Sequence, residues 1–319
     1  MSDLKNFPKA YVVILNWNGL DDTIECIKSV KNISYPNYGI ILVDNGSKDS
    51  PVDSIKKICK DIIFIDNKSN LGFAEGNNVG IRVALDNEAR YIWLLNNDTI
   101  VHRDALTAMI DVGERIPKSG ILGSKIYYYD KPDFIWFAGA TINWKRAVSY
   151  HTGINQKDHP QYGVLNEVDR ITGCSMVVKR ELCENIGLMD EKLFLYVEEV
   201  DWCIRARNAG YKVIYVPDSK VYHKISSSTG EDFSIIYNYY NTRNFLYVIR
   251  KNMRFPVREF YLLNAIFHKL NECKGIVKEI IKPAFWMNGK RATIRFSRLR
   301  GVIDFVTGRM GKGYFDETL

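Results

Sequence analysis

Apolar residues in this chain fall into short continuous runs separated by polar stretches. Residues 10–15, 38–43, 62–65 and 91–95 are each apolar nearly throughout, the pattern of strands buried on both faces of a parallel sheet. Between them, residues 21–30 and 48–60 have helical character, with Asp21 or Asp22 as a cap for the first. A glycine-rich stretch, residues 70–80, leads into a third helix that runs through Leu85. Strand and helix thus alternate through four strands, which predicts a doubly wound α/β sheet. A further helix is expected over residues 104–116.

From Ile121 the texture changes. Aromatic-rich runs at 126–129 and 134–137, divided by Gly and Pro, suggest hairpins and loops flanking the first sheet, with His151 and His159 in a polar loop. Residues 169–178 read as a strand interrupted at Gly173, residues 180–186 as a helix, and residues 213–216 as another strand before Pro217. From about Phe233 the chain is aromatic and helical in character, and residues 275–287 and 291–300 mix basic with apolar side chains.

Three predicted strands end in polar residues: Asn16 and Asn18 after the first, Asp44 after the second, and Asn96-Asn97-Asp98 after the fourth. In open α/β sheets ligands bind beyond the carboxyl ends of the strands, so these positions can converge on one ligand. Asp98 suits a hard divalent cation that holds a diphosphate; an Asn/Asp turn that merely stops a strand is the other reading. A dinucleotide site would need GxGxxG after the first strand, where Asn16-Trp17-Asn18-Gly19 stands instead. Glu198, Glu199 and Asp201 crowd the start of another predicted helix, where they serve either as dipole-compensating caps or as a general base. His223, after a strand, is a structural histidine or a borderline metal ligand.

Composition narrows the classes. At 319 residues with 46% hydrophobic and 25% charged content, the chain can bury a sizeable core. The net charge of +7 arises largely in the last quarter. Six scattered cysteines without a CxxC pair argue against a zinc cluster or a disulfide framework. With no apolar leader after Met1 and no spanning run of about 18 apolar residues, the chain reads as cytoplasmic. A nucleic-acid partner is not expected, since the basic tail carries no reading motif.

The ordered set Asn16-Trp17-Asn18-Gly19, Val43-Asp44-Asn45-Gly46-Ser47, Asn70-Leu71-Gly72-Phe73-Ala74-Glu75-Gly76-Asn77-Asn78, Leu95-Asn96-Asn97-Asp98, Thr172-Gly173-Cys174-Ser175-Met176, Glu198-Glu199-Val200-Asp201-Trp202 and Tyr222-His223 resembles family 2 glycosyltransferases, in particular the bacterial rhamnosyltransferase-like branch with a GT-A fold. The likeness covers roughly residues 10–250. It implies that Asp44 contacts the donor's base, with Asn16 and Asn18 in the first nucleotide-binding turn and Asn70, Gly72 and Asn77 near the diphosphate and sugar. Asn96-Asn97-Asp98 matches the DxD motif with Asn96 in place of the first acid, leaving Asp98 as the main protein ligand for Mn2+ or Mg2+. His223 matches a histidine that supplies a further ligand in some members. Glu199 matches the general base, one methylene longer than the usual Asp, with Asp201 and Glu198 as alternatives.

The resemblance also implies the organisation and the reaction. A catalytic domain is expected over residues 1–230, with a nucleotide-sugar half at 1–116 and an acceptor half at 117–230, followed by a helical, basic-aromatic extension at 231–319. The implied reaction is inverting, metal-dependent transfer from a nucleoside-diphosphate sugar, best matched by dTDP-L-rhamnose, to a hydroxyl of a glycan or lipid-linked glycan in bacterial surface polysaccharide synthesis. UDP- or GDP-sugar donors, or a nucleotide-sugar-binding partner subunit with little turnover, are the alternatives. The basic-aromatic tail adds the expectation of peripheral contact with the anionic inner face of the plasma membrane.

Overall fold

A computed structural model describes residues 7–224, 231–274, 289–313 and 315. The chain divides into two compact units. The first comprises Met1–Thr141, His151–Met189 and Trp202–Ile225, and the second Ile142–Tyr150, Asp190–Asp201 and Ser226–Leu319.

The first unit opens as the apolar runs predict. Strands β1 (Ala10–Asn16), β2 (Tyr38–Asp44), β3 (Ile63–Asp66) and β4 (Tyr91–Asn96) alternate with helices α1 (Leu20–Val30), α2 (Val52–Ile58) and α3 (Gly72–Asp86). The four strands pair in parallel in the order β4-β1-β2-β3, with Asn16 level with Asp44 and Leu15 level with Asn96. Helix α2 is shorter than the predicted 48–60, because the chain enters it only at Pro51. Next come the short strand β5 (Thr99–Val101) and helix α4 (Ala105–Arg115).

Beyond α4 the aromatic runs at 126–129 and 134–137 form the expected antiparallel hairpin, but as part of the main sheet and not beside it. Strand β6 (Ser119–Tyr128) lies inside the main sheet and is buried over its first nine residues. Its Gly120 and Gly123 are small because neighbouring side chains press on them. A Cβ on Gly123 would stand 2.1 Å from Ile171. Strands β7 (Lys131–Phe137) and β10 (Gln156–Lys157) continue the sheet outward from β6. Strands β8 (Ala140–Asn143) and β9 (Val148–His151) make a small sheet of their own.

The next segments close the sheet. Of the predicted strand at 169–178, only β12 (Ser175–Lys179) forms, after the two-residue β11 (Asn166–Glu167). β12 inserts antiparallel between β4 and β6, which makes the sheet mixed. Helix α5 (Arg180–Ile186) falls where the sequence places it. Strand β13 (Lys212–His223) runs far past the predicted 213–216, with Pro217 inside a register shift between Val216 and Lys220 that removes any need for its missing N–H.

A polar thread crosses the core. Trp93 Nε1 donates to Ser175 Oγ at 3.0 Å, Ser175 and Ser124 share a hydrogen bond of 2.7 Å, and Ser124 and Ser219 share one of 2.8 Å. These residues sit on β4, β12, β6 and β13, which are adjacent in that order.

The second unit is helical: α7 (Glu231–Asn252), α8 (Val257–Glu272) and α9 (Gly289–Val306), together with the segment from Asp190 and the first turn of α6 (Glu198–Asn208). Tyr239 and Tyr240 of α7 are buried with Phe194 and Ile236. Arg243, also buried, lies over both tyrosine rings at 5.2 and 4.8 Å. Tyr239 donates to Asp304 of α9 at 2.6 Å. Residues 275–287, singled out above as basic and apolar, lie outside the described residues. Among those described, no helix is long and apolar enough to cross a membrane.

Candidate active site

Parallel pairing brings the polar strand ends of the first unit together. Asp44 is buried and accepts from Asn16 Nδ2 at 2.7 Å, Ser47 Oγ at 2.6 Å and Ser47 N at 3.1 Å. Asn16 Oδ1 in turn accepts from Thr23 Oγ1 at 2.8 Å and the Gly19 amide at 3.2 Å. Asn97 closes the ring, its Nδ2 donating to Thr23 Oγ1 at 3.0 Å and to the Gly19 carbonyl at 3.3 Å. A Cβ on Gly19 would lie 2.5 Å from Asn97 Nδ2, so a side chain there would push the Asn97 amide out of this ring. Asn18, in the left-handed region at φ 55°, accepts the Lys48 amide at 2.9 Å.

One organiser of this edge lies inside a quoted motif but was not singled out. Buried Asn45 donates to Asn70 Oδ1 at 3.0 Å and to the Gly72 carbonyl at 3.1 Å, and accepts from the Leu71 amide at 3.1 Å. It therefore ties the end of β2 to the loop that starts α3. Asn70 also accepts the Gly72 amide at 2.8 Å. Asn77 is different: it is buried and donates to the Phe73 carbonyl one turn back at 2.9 Å, so its amide is used within α3. Asn96 ends β4, where its carbonyl accepts Thr99 Oγ1 at 2.7 Å.

Asp98 and His223, 125 positions apart, meet because β5 pairs antiparallel with the end of β13, setting His223 opposite Thr99. The Lys224 amide donates to the Asp98 carbonyl at 2.8 Å and fixes the register. His223 Nε2 lies 3.1 Å from one Asp98 carboxylate oxygen and 3.2 Å from the other. The nearer oxygen, Oδ1, is buried and makes no hydrogen bond. Two ligand atoms held at right angles about 2.1 Å from one cation stand roughly 3 Å apart, so the pair fits a divalent ion as two neighbouring ligands. Among the described residues, no third His, Cys, Asp or Glu joins them in a ligand cluster.

Burial alone disfavours a charged His223, but Cys174 and the Asp98 carboxylate outweigh it and push the ring up to about 10. Burial raises Cys174 itself. Trp136 meets His223 edge-on at 4.6 Å between ring centroids. The same ring packs on His151, which is therefore not in a polar loop; burial and Arg170 lower it to about 3. Beside His223 a cavity of about 230 Å³ opens, walled by Tyr128, Tyr129, Lys131 and Phe134.

The carboxylates at 198–201 belong to the second unit, and they are held in another way. Just before them, Phe194, Tyr196 and Val197 adopt left-handed φ values of 62°, 62° and 76°. Each such non-glycine residue costs about 1–3 kcal/mol and persists only where its surroundings over-determine it. Here α7 supplies the constraint. Asn244, fully buried, places its Nδ2 2.8, 2.9 and 2.7 Å from the carbonyls of Leu193, Leu195 and Tyr196. Two turns on, Lys251 Nζ bridges Asp190 at 2.7 Å and Asp201 at 2.9 Å, while Asn252 Nδ2 donates to Asp201 at 2.8 Å. Tyr247 donates to Asp190 at 2.9 Å.

Asn244, Tyr247, Lys251 and Asn252 share one face of α7 by their spacing. Asp201 is wholly buried with these partners, whereas Glu198 and Glu199 retain 4% and 8% exposure in the first turn of α6. The dipole of α6 favours negative charge at that turn.

This edge, with its acid and histidine at the end of a mixed α/β sheet, is the fold of a GT-A glycosyltransferase. Two solved structures share it at 15% identity. The mannosyltransferase PcManGT from Pyrobaculum calidifontis, in complex with GDP-Man and Mn2+, superposes with a TM-score of 0.60 over 95% of this chain and 88% of that one. S. aureus TarS 1-349 superposes with a TM-score of 0.54 over 94% and 90%. The model of the family described as "Glycosyl transferase family 2" matches residues 11–187, and the chain belongs to that family. Among known proteins, it is 25% identical over 250 residues to the dTDP-rhamnosyl transferase RfbF of Shigella flexneri, covering 76% of this chain and 80% of that protein. It is 26% identical over 269 residues to the rhamnosyltransferase WbbL of Escherichia coli, covering 81% and 99%.

Proposed function

We propose that the protein transfers a sugar, with inversion, from a nucleoside diphosphate to a hydroxyl of a glycan or lipid-linked glycan. The observation that carries this reading is the Asp98–His223 pair, an acid with a buried unsatisfied oxygen beside an imidazole nitrogen at the end of the strand that matches the donor-binding motif. Mn2+ or Mg2+ held there would offset the charge that collects on the leaving diphosphate. Asp44, held by Asn16 and Ser47, faces the donor's base, and the Asn45–Asn70–Gly72 connection shapes the loop near the diphosphate. Glu199 takes the proton of the acceptor hydroxyl as its oxygen forms a bond to C1 and the C1–O bond to the diphosphate breaks. General-base assistance of this kind contributes about 10² to 10⁴ in rate. The likeness to RfbF and WbbL favours dTDP-L-rhamnose as donor.

The test is thermal melting with dTDP-rhamnose, UDP-sugars and GDP-sugars, each with Mn2+, Mg2+ or chelator, followed by turnover of the donor that stabilises most. Metal-dependent stabilisation and transfer by wild type, lost in Glu199→Gln with donor binding intact, is the expected result. If Glu199→Gln turns over within a few-fold of wild type while Asp201→Asn does not, the base is misassigned. Binding without any turnover would make the protein a nucleotide-sugar-binding subunit instead.

A further inference from the structure

Helix α8 is amphipathic the wrong way round for a helix whose outer face meets only water. Its exposed residues are Val257, Phe260, Leu263, Phe267 and Leu270, and all five are apolar. Leu263 and Phe267 are 67% and 66% exposed. Their spacing of three, three, four and three residues makes a single stripe, about 20 Å long at 1.5 Å per residue. The opposite face buries Lys269, 4% exposed, which lies 3.7 Å from Glu272. A water-facing helix places its polar residues outward, so a contiguous exposed stripe of this kind marks an interaction surface.

Charge identifies what the stripe meets. Residues 231–319 contain 16 Lys and Arg against 8 Asp and Glu, whereas residues 1–230 contain 28 against 29. The whole positive excess of the protein is therefore in the part of the chain that carries α8. Exposed Arg254 and Lys274 stand just before and just after the stripe, and Lys145 Nζ lies 5.7 Å from the Phe260 ring centroid. A second copy of this chain would bring one positive region against another. An anionic bilayer offers acyl chains for the Phe and Leu side chains and phosphate headgroups for the cations. At 16 residues α8 is too short to span the roughly 30 Å hydrocarbon core, so it lies in the interface plane.

We infer that α8 is a membrane-contact helix, seating Phe260, Leu263, Phe267 and Leu270 among the acyl chains of an anionic lipid surface with Lys145, Arg254 and Lys274 at headgroup level. The inference concerns location and stands apart from the choice of donor.

The experiment is co-sedimentation of the full chain with mixed phosphatidylcholine–phosphatidylglycerol vesicles, with pure phosphatidylcholine vesicles as control. Wild type is expected to partition onto the anionic vesicles and to be released by high salt. The double variant Leu263→Ser/Phe267→Ser is expected to lose about tenfold or more in partitioning, and Arg254→Gln/Lys274→Gln to lose its salt-sensitive part. Both pairs are solvent-facing, and unchanged melting confirms that each variant folds. Should either misfold, Phe260→Ser serves as a single-site replacement. Failure of wild type to bind anionic vesicles at low salt overturns the inference. So does undiminished binding by the Leu263→Ser/Phe267→Ser variant, which would put the contact elsewhere. A concentration-dependent dimer that the same variant abolishes, without vesicle binding, would assign the stripe to a second copy.

Discussion

The strand-end cradle of the first unit and the acid-bearing segment of the second reach order by opposite means. In the cradle, Asn16 and Asp44 are paired at the ends of β1 and β2, where the sheet ladder fixes their backbones, and Asn97 follows β4 by one residue. Their side chains then satisfy one another at little conformational cost. The segment before Glu199 has no ladder beneath it. It places three non-glycine residues in the left-handed region and is held there by side chains of α7, chiefly Asn244. Under the proposed function, a substitution in the cradle therefore removes a donor contact and leaves the sheet, whereas one at Asn244 removes the frame and leaves the carboxylates present.

That contrast can be broken experimentally, beginning with the largest effect. Asp98→Ala removes the acid of the proposed metal pair, and a loss of several kcal/mol in transition-state stabilisation corresponds to about 10³-fold in turnover. Stabilisation by donor with Mn2+ should vanish in the same variant, as read by melting. Next, Asn244→Ala removes the side-chain amide that the carbonyls of Leu193, Leu195 and Tyr196 share and frees the strained residues. A misplacement of about 1 Å remote from the chemistry can cost roughly 10²-fold, so kcat should fall by that order while the donor KM stays near wild type. Combined with Glu199→Gln, Asn244→Ala should add almost nothing, because positioning is worthless once the proposed base is gone. Additive losses would show that Asn244 acts only through general stability.

Asp44→Asn should invert that signature. The donor KM should rise about tenfold, the worth of one hydrogen bond to a charged group, with kcat little changed. The smallest effect is a pH dependence. Burial works against ionisation of Asp190, but Lys251 and Tyr247 donate to it and hold its carboxyl below the usual range. Its folded-state value is depressed, so its contribution to stability is complete above the unfolded value of about 3.9 and is lost as pH falls through the folded one. Asp190→Asn should flatten denaturant midpoints measured across that acid range and leave those at neutral pH uniformly lower.

Much of the cradle was legible in the sequence because its signals are local. A continuous apolar run that stops at Asn or Asp names a strand and the end at which a ligand sits, and β1, β2 and β4 lie where such runs predict. The length of β6 was out of reach, since the aromatic run marks only its last residues, and its Gly123 is small because Ile171 presses on it. The antiparallel entry of β12 between β4 and β6 was out of reach, since burial pattern says nothing of neighbour order. The hold of Asn244 on residues 193–196 was equally hidden. It spans about fifty positions, and left-handed backbone at Phe, Tyr and Val carries none of the Gly or Asn signal that betrays it elsewhere.

The thread from Trp93 through Ser175 and Ser124 to Ser219 bears on how such a sheet avoids misassembly. Sliding β12 by one residue along its neighbours would turn Ser175 to the opposite face and strand a buried indole N–H and two buried hydroxyls. The strand that reverses direction in the middle of the sheet thus carries its own proofreading, written in hydroxyl groups too small to register as a motif.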